Sequence, residues 1–170
     1  MNYFEVYEFP VQLSIDKTVL KQKFFELSRR YHPDYFTLQE RNAQQQALEQ
    51  SALVNKAFKT FSSQDETIKY VLELKGLLSE NEKYNLPAAF LMDMLELNET
   101  VAEAQFDPAE KNAAFQKVQE WETAIYQPVA RIVANYEEGK TTEAELLQVK
   151  DYYFKKKYIG RLKQQLAEKL

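Results

Sequence analysis

Cysteine is absent from this chain of 170 residues. That excludes disulfides, thiolate metal sites and a cysteine nucleophile. Histidine occurs once, as His32, so metal sites built on two imidazoles are also excluded. Glycine and proline are scarce, at 3 and 5 residues, and no alternating run rich in valine, isoleucine and threonine occurs. Helices are therefore expected throughout. No glycine-rich phosphate loop can be written from this sequence. No apolar run approaches the length of a membrane span. Positive charge is not in excess: the net charge is −4, which argues against general affinity for nucleic acid. Between Met1 and Phe9 no basic segment precedes an apolar one, as a secretory signal would require. These absences predict a cytoplasmic protein with no cofactor, no nucleic-acid partner and no membrane contact.

What is present is the balance of a globular protein, 45% hydrophobic and 28% charged, long enough for one medium domain or two small ones. A short aromatic segment, residues 3–8, is closed by Pro10 and reads as a helix of one or two turns. Ser14 or Asp16 can cap the next helix, which runs to about Tyr31. Leu20, Phe24, Leu27 and Tyr31 form its buried stripe at i, i+4, i+7 and i+11. Lys23, Arg29 and Arg30 fall on the far side, and the stretch from Lys17 to Tyr31 has a local balance of +4. This helix runs straight into His32-Pro33-Asp34. Proline disfavours helical geometry at the residue before it and donates no backbone hydrogen bond, and aspartate suits a turn. The three side chains are therefore expected on an exposed loop, residues 33–40, beside a positive helix. A long helix over about 41–61, with Ala47, Val54, Phe58 and Phe61 inward, completes an antiparallel hairpin. A shorter helix buries Ile68, Val71 and Leu72 and ends at Gly76. Polar residues 79–85 mark a boundary. The expected organisation is a domain at 1–76, a linker at 77–86 and a helical bundle at 87–170.

The second half opens with a helix that carries two apolar sets. Phe90, Met94, Leu97 and Val101 make a complete core stripe. Leu91, Met92 and Leu95 point nearly the opposite way, flanked by Glu96, Glu99 and Glu103. From Pro87 to Glu110 there are six acids and no lysine or arginine. A helix between two neighbours needs a broad apolar face, and an exposed apolar–acidic patch is the other explanation. The near-opposition of the two sets favours the patch. Asp107-Pro108-Ala109-Glu110 starts the next helix, which contains Phe115, Val118, Ile125, Val129, Ile132 and Tyr136 and is expected to kink near Ala124 because of Pro128. Gly139 is read as its end. A capping box at Thr142–Glu145 opens the last helix, whose inner side is read as Leu147, Phe154, Tyr158, Leu162 and Leu166 and whose end lies close to Leu170.

Enzymatic chemistry finds little support. A His32–Asp34 acid–base pair would be splayed by Pro33 and has no further polar groups around it. A Ser-His-Asp arrangement lacks a sequence anchor for its third group. The acids of residues 96–103 lack the loop geometry of a calcium site. Opposite charge on the two halves suits a binding protein with two different partners.

The first half resembles a J domain. The resemblance rests on Tyr3-Phe4, on Ser28-Arg29-Arg30-Tyr31 followed by His32-Pro33-Asp34, and on Asn55-Lys56-Ala57-Phe58. The stretch Ala89-Phe90-Leu91-Met92-Asp93-Met94-Leu95-Glu96-Leu97 narrows it to the HscB family, the J-proteins of iron–sulfur cluster assembly, over essentially the whole chain. The resemblance implies an all-α fold with an amino-terminal J domain, a helical hairpin with flanking short helices, and a carboxyl-terminal antiparallel three-helix bundle. It implies an activator rather than an enzyme. His32, Pro33 and Asp34, helped by Lys21, Lys23, Arg29 and Arg30, would stimulate the ATPase of the DnaK-like chaperone HscA. The bundle would hold the scaffold protein IscU through Leu91, Met92, Leu95, Glu96, Glu99, Glu103 and an aromatic on the last helix, matched to Phe154. Glu26, Pro128 and Lys155-Lys156-Lys157 depart from the family pattern. The absence of an amino-terminal cysteine-rich extension fits the bacterial form. The alternative is a general J-protein that delivers unfolded clients to a DnaK-type chaperone.

Overall fold

The computed structural model describes residues 1–168, and the end of the last helix expected near Leu170 lies outside them. Every regular element among the described residues is helical: α1 (Tyr3–Tyr7), α2 (Lys17–Arg30), α3 (Arg41–Phe61), α4 (Gln64–Leu74), α5 (Ala88–Glu103), α6 (Pro108–Tyr126), α7 (Ala130–Asn135) and α8 (Glu143–Glu168), with 3-10 turns at Pro33–Phe36, Ala104–Phe106 and Gln127–Val129. The chain divides into two units. One holds Met1–Lys75 and Tyr136–Thr141; the other holds Gly76–Asn135 and the chain from Thr142 onward.

In the first unit the capping side chains set the helix starts. Asn2 and Glu5 form a reciprocal box on α1. Of the two candidate caps for α2 it is Asp16 that accepts, from Thr18 N–H at 2.8 Å and Val19 N–H at 3.1 Å. α2 and α3 pair as the expected hairpin, with Leu20 and Leu27 of one and Ala47, Val54 and Ala57 of the other buried. Phe24 and Phe58 are only half-buried and stack on each other at 4.2 Å. α1 closes one end of this core: Phe4 and Tyr7 meet Phe61 at 4.9 and 5.5 Å. Tyr3 stacks on Tyr70 of α4 at 4.4 Å, and its N–H donates to the Tyr70 hydroxyl. α4 ends at Leu74 with Lys75 as its cap, after which Gly76 takes a φ of 70°, a conformation open to glycine without strain.

The buried hydroxyl of Tyr7 donates to the Val54 carbonyl at 2.8 Å. Burial drives its pKa well above the ordinary tyrosine value. Tyr7→Phe keeps the ring packing and loses that bond, so a cost of about 1 kcal/mol is expected in urea unfolding. A change near zero would mean that the bond contributes nothing net.

The second unit is built around α5, α6 and α8. Phe90, Met94, Leu97 and Val101 of α5 meet Ala114 and Val118 of α6 and Ile159, Leu162 and Leu166 of α8 in one core. At Pro128 the α-helix gives way to a 3-10 turn: α6 stops at Tyr126, the turn carries the proline, and α7 resumes at Ala130, with right-handed helical backbone kept at Tyr126, Gln127 and Ala130. Proline removes the bond to the carbonyl four residues back, and the tighter turn absorbs the loss. α7 ends at Asn135, earlier than the Gly139 stop read from sequence, and Gly139, with φ 83°, sits in the turn that follows. Thr142 and Glu145 cap α8 reciprocally at 3.0 and 3.1 Å.

The inner face of α8 is corrected. Leu146, Val149, Tyr152 and Tyr153 are buried in its first half and Ile159, Leu162 and Leu166 in its second, while Leu147 is exposed. The buried face drifts around this long helix, so a single stripe extrapolated backwards from Leu166 selects Leu147 where the fold selects Leu146. Residues 77–86, read as a linker, pack as a strap along α8. Glu82 pairs with Lys150 at 2.7 Å, the Tyr84 hydroxyl donates to Asp151 at 2.8 Å, and the Tyr84 ring stacks on Phe154 at 4.5 Å.

Candidate functional site

Two separate surfaces carry the residues singled out by sequence, one in each unit. In the first, α2 ends with Tyr31 N–H bonded to the Leu27 carbonyl, and the chain turns at once. The segment expected to be a plain loop begins as a 3-10 turn, with Pro33 in its first position and His32 as its cap. His32 Nδ1 accepts from Asp34 N–H at 3.2 Å, and Tyr35 N–H donates to the His32 carbonyl at 3.1 Å. Because Nδ1 is the acceptor, the neutral imidazole carries its proton on Nε2. Asp34 Oδ2 lies 3.6 Å from Nδ1, and the two side chains remain 53% and 85% exposed. The motif is thus a surface feature with its ring orientation fixed locally by its own backbone. Proline at the first position supplies the φ that the turn requires.

The basic helix is less uniform than its sequence. Lys23 lies 3.3 Å from Glu8 and 3.5 Å from Glu26, and Arg30 lies 3.0 Å from Glu26 and 3.7 Å from Glu8. Two of the four candidate cations therefore belong to an internal ion network. Glu26 was legible as a neutralising neighbour, but Glu8, brought in by the left-handed end of α1, was not. Lys21 and Arg29 form no ion pair among the described residues. They stand at i and i+8 on α2, with exposed Phe25 between them at i+4, so one outward ridge leads toward His32. Phe25 escaped the sequence reading because a single aromatic off the core stripe carries no periodic signal.

The second surface lies on α5. Its core stripe is buried, and the opposing set is not: Leu91, Met92 and Leu95 are 40%, 71% and 62% exposed. Glu96, Glu99 and Glu103 are exposed beside them, and none forms an ion pair among the described residues. Of the two explanations for this doubly apolar helix, the broad buried face is excluded by these exposures. Successive turns of α5 set leucine and methionine along one edge and glutamate along the next, an exposed amphipathic ridge that no ion pair ties down among the described residues.

Phe154 belongs to neither ridge. Its ring is half-buried, stacked face to face on Tyr84 of the strap and edge-on against Tyr153 at 5.2 Å. Burial, then the hydrogen bond to Asp151, push the Tyr84 hydroxyl up to about 12. A free tyrosine titrates near 10, so the unfolded chain ionises first and the strap's stabilisation is lost as pH rises from about 10 to about 12. Tyr84→Phe is expected to cost about 1 kcal/mol near neutral pH, and the gap from wild type should close above about pH 11. Urea unfolding of both proteins at the two pH values checks this, and a pH-independent gap would contradict it.

No group of histidine, aspartate and glutamate among the described residues is arranged to hold a metal ion. No described helix is long and apolar enough to cross a membrane.

The chain is similar along nearly its whole length to known proteins. A family model described as the HSCB C-terminal oligomerisation domain matches residues 86–167, the segment that carries the α5 ridge. The co-chaperone protein HscB homolog of Vibrio cholerae serotype O1 (strain M66-2) is 30% identical over 169 residues, 98% of this chain and 95% of that protein. The homolog from Psychromonas ingrahamii is 29% identical over 151 residues, 88% of this chain and 89% of the relative. Among solved structures, the chaperone HscB from Vibrio cholerae superposes with a TM-score of 0.76 at 28% identity, covering 99% of this chain and 96% of the other. The human co-chaperone protein HscB superposes with a TM-score of 0.82 at 22% identity, covering 99% and 82%, a likeness of fold.

Proposed function

The chain belongs to the HscB family of co-chaperones, and on that premise we propose that it joins an ATP-driven chaperone to an iron–sulfur scaffold. In this reading the first unit is the J domain, which docks on a DnaK-like HscA and stimulates its ATP hydrolysis through His32, Pro33 and Asp34. Lys21 and Arg29 supply the uncommitted positive charge that meets an acidic groove. Lys23 and Arg30 contribute less, because Glu8 and Glu26 already neutralise them. The second unit holds an IscU-type scaffold along Leu91, Met92 and Leu95, with Glu96, Glu99 and Glu103 facing basic residues of that scaffold. Phe154 is proposed as a peripheral contact, since its ring is already stacked on Tyr84. The protein performs no bond chemistry itself; it raises the rate of another protein's reaction and presents the cargo, in the cytoplasm of a bacterium.

The observation that carries the reading is the exposure of Leu91, Met92 and Leu95 on a helix whose other apolar stripe is fully packed. Side chains 40–71% exposed forgo part of the roughly 1.5–3 kcal/mol each that full burial supplies, and a partner that covers them recovers it. Charge at the edge orients the encounter. The test is steady-state ATP hydrolysis by purified HscA with and without this protein and with and without IscU. Stimulation that rises further when IscU is added supports the reading. Stimulation indifferent to IscU would instead assign the chain to general J-proteins that deliver unfolded clients.

A further inference from the structure

We propose that the scaffold-binding ridge does not end with α5 but continues through the following 3-10 turn and terminates in Phe106. This rests on the scaffold reading above and extends its surface. Phe106 is 92% exposed, more than Leu91, Met92 or Leu95.

Helical geometry places it. Through α5 each residue turns about 100°, and through a 3-10 turn about 120°. Counted from buried Phe90, Ala104 returns to the core side, where it is 2% exposed. Two residues on, Phe106 comes round to the side that carries Met92, Leu95 and Glu99. The rise per residue sets its Cα roughly 18 Å beyond that of Leu95 along the axis, with the Glu99 and Glu103 turns between. The order along the ridge is therefore apolar edge, acidic middle, aromatic end.

The fold does not need this ring. The turn is already fixed by Asp107, which accepts from Ala109 N–H at 2.9 Å and, through its carbonyl, from Lys111 N–H at 2.9 Å. Beside the ring opens a hollow of about 420 Å³, bounded by Asp107, Pro108, Lys111 and Phe115. An aromatic side chain next to a shallow hollow, in line with an apolar–acidic ridge, suits the same occupant as the ridge: a folded scaffold whose surface offers an apolar socket bordered by basic residues. Aromatic residues are the usual anchors of such contacts.

The test is calorimetric titration of purified IscU into the full chain and its variants. Phe106→Ala is expected to weaken binding by about 5- to 30-fold, the range for an aromatic anchor, with Phe106→Leu staying within about threefold of wild type. Both variants should melt with wild type. Leu95→Ala serves as the reference change within α5. If Leu95→Ala weakens binding and Phe106→Ala does not, the ridge stops at Glu103 and the proposal fails alone. If wild type does not bind IscU, the scaffold reading fails and this extension with it. A lowered melting temperature in Phe106→Ala, shared by Phe106→Leu, would assign the ring to the fold and overturn the proposal.

Discussion

Replacing His32 with glutamine is expected to reduce stimulation of the HscA ATPase at least about tenfold, a loss of roughly 1.4 kcal/mol or more of activated-state stabilisation, while the protein stays folded. The two halves of that expectation have separate causes. Folding survives because the ring is exposed and the turn keeps its other restraints: Pro33 in the first position and the Tyr35 N–H to His32 carbonyl bond. Exposed substitutions of this kind shift stability by about 0.5 kcal/mol at most, so the melting temperature should move by less than about 2 °C. Function is lost because the imidazole is a rigid plane whose orientation Nδ1 fixes through Asp34 N–H. Under the proposed function, its outward nitrogen and edge are what a docking chaperone would meet. Glutamine can accept a similar bond, but its one additional rotatable bond loosens the fixed direction. Full stimulation by the variant would assign the motif to turn formation alone and leave a structural adaptor as the better reading of the first unit.

The second large effect is expected from Leu91→Ala combined with Leu95→Ala. At about 1–2 kcal/mol for each truncated contact residue, the pair should weaken IscU binding on the order of 30- to 1,000-fold. The same double change should move the melting temperature far less than a core truncation does, since Leu95 is 62% and Leu91 40% exposed. The internal control is one step away on the same helix. Leu97→Ala removes a side chain only 3% exposed and should cost about 2–5 kcal/mol of stability. Weakened binding together with a large drop in melting temperature in the Leu91/Leu95 variant would return those leucines to the core. Unchanged binding and unchanged stability would leave the ridge without a role in scaffold capture.

Much of this was legible before any coordinates. Stripes at i, i+4, i+7 and i+11 located the buried faces of α2 and α5, because a core demands apolar residues at helical period. Capping residues marked the starts of α6 and α8, since helix amines left without partners recruit nearby oxygen acceptors. The His32-Pro33-Asp34 turn was readable because proline acts on its immediate neighbours. Two expectations differ from the fold. Leu147 is exposed where Leu146 is buried, because the buried face drifts around the long helix α8. α7 stops at Asn135 rather than at Gly139, ahead of a turn that Glu137 and Thr141 close between themselves.

The sequence by itself determined the helical class, the position of the motif turn and the two opposed faces of α5, all of which depend on interactions within a few residues. Tertiary structure alone decided that Glu8 crosses to Lys23 and Arg30, so that of the four candidate cations Lys21 and Arg29 are the two without an ion pair among the described residues. It alone decided that Tyr84 lies flat on Phe154. Helical periodicity is written in neighbouring residues, whereas an ion pair or a ring stack between distant segments exists only once the backbone has brought them together.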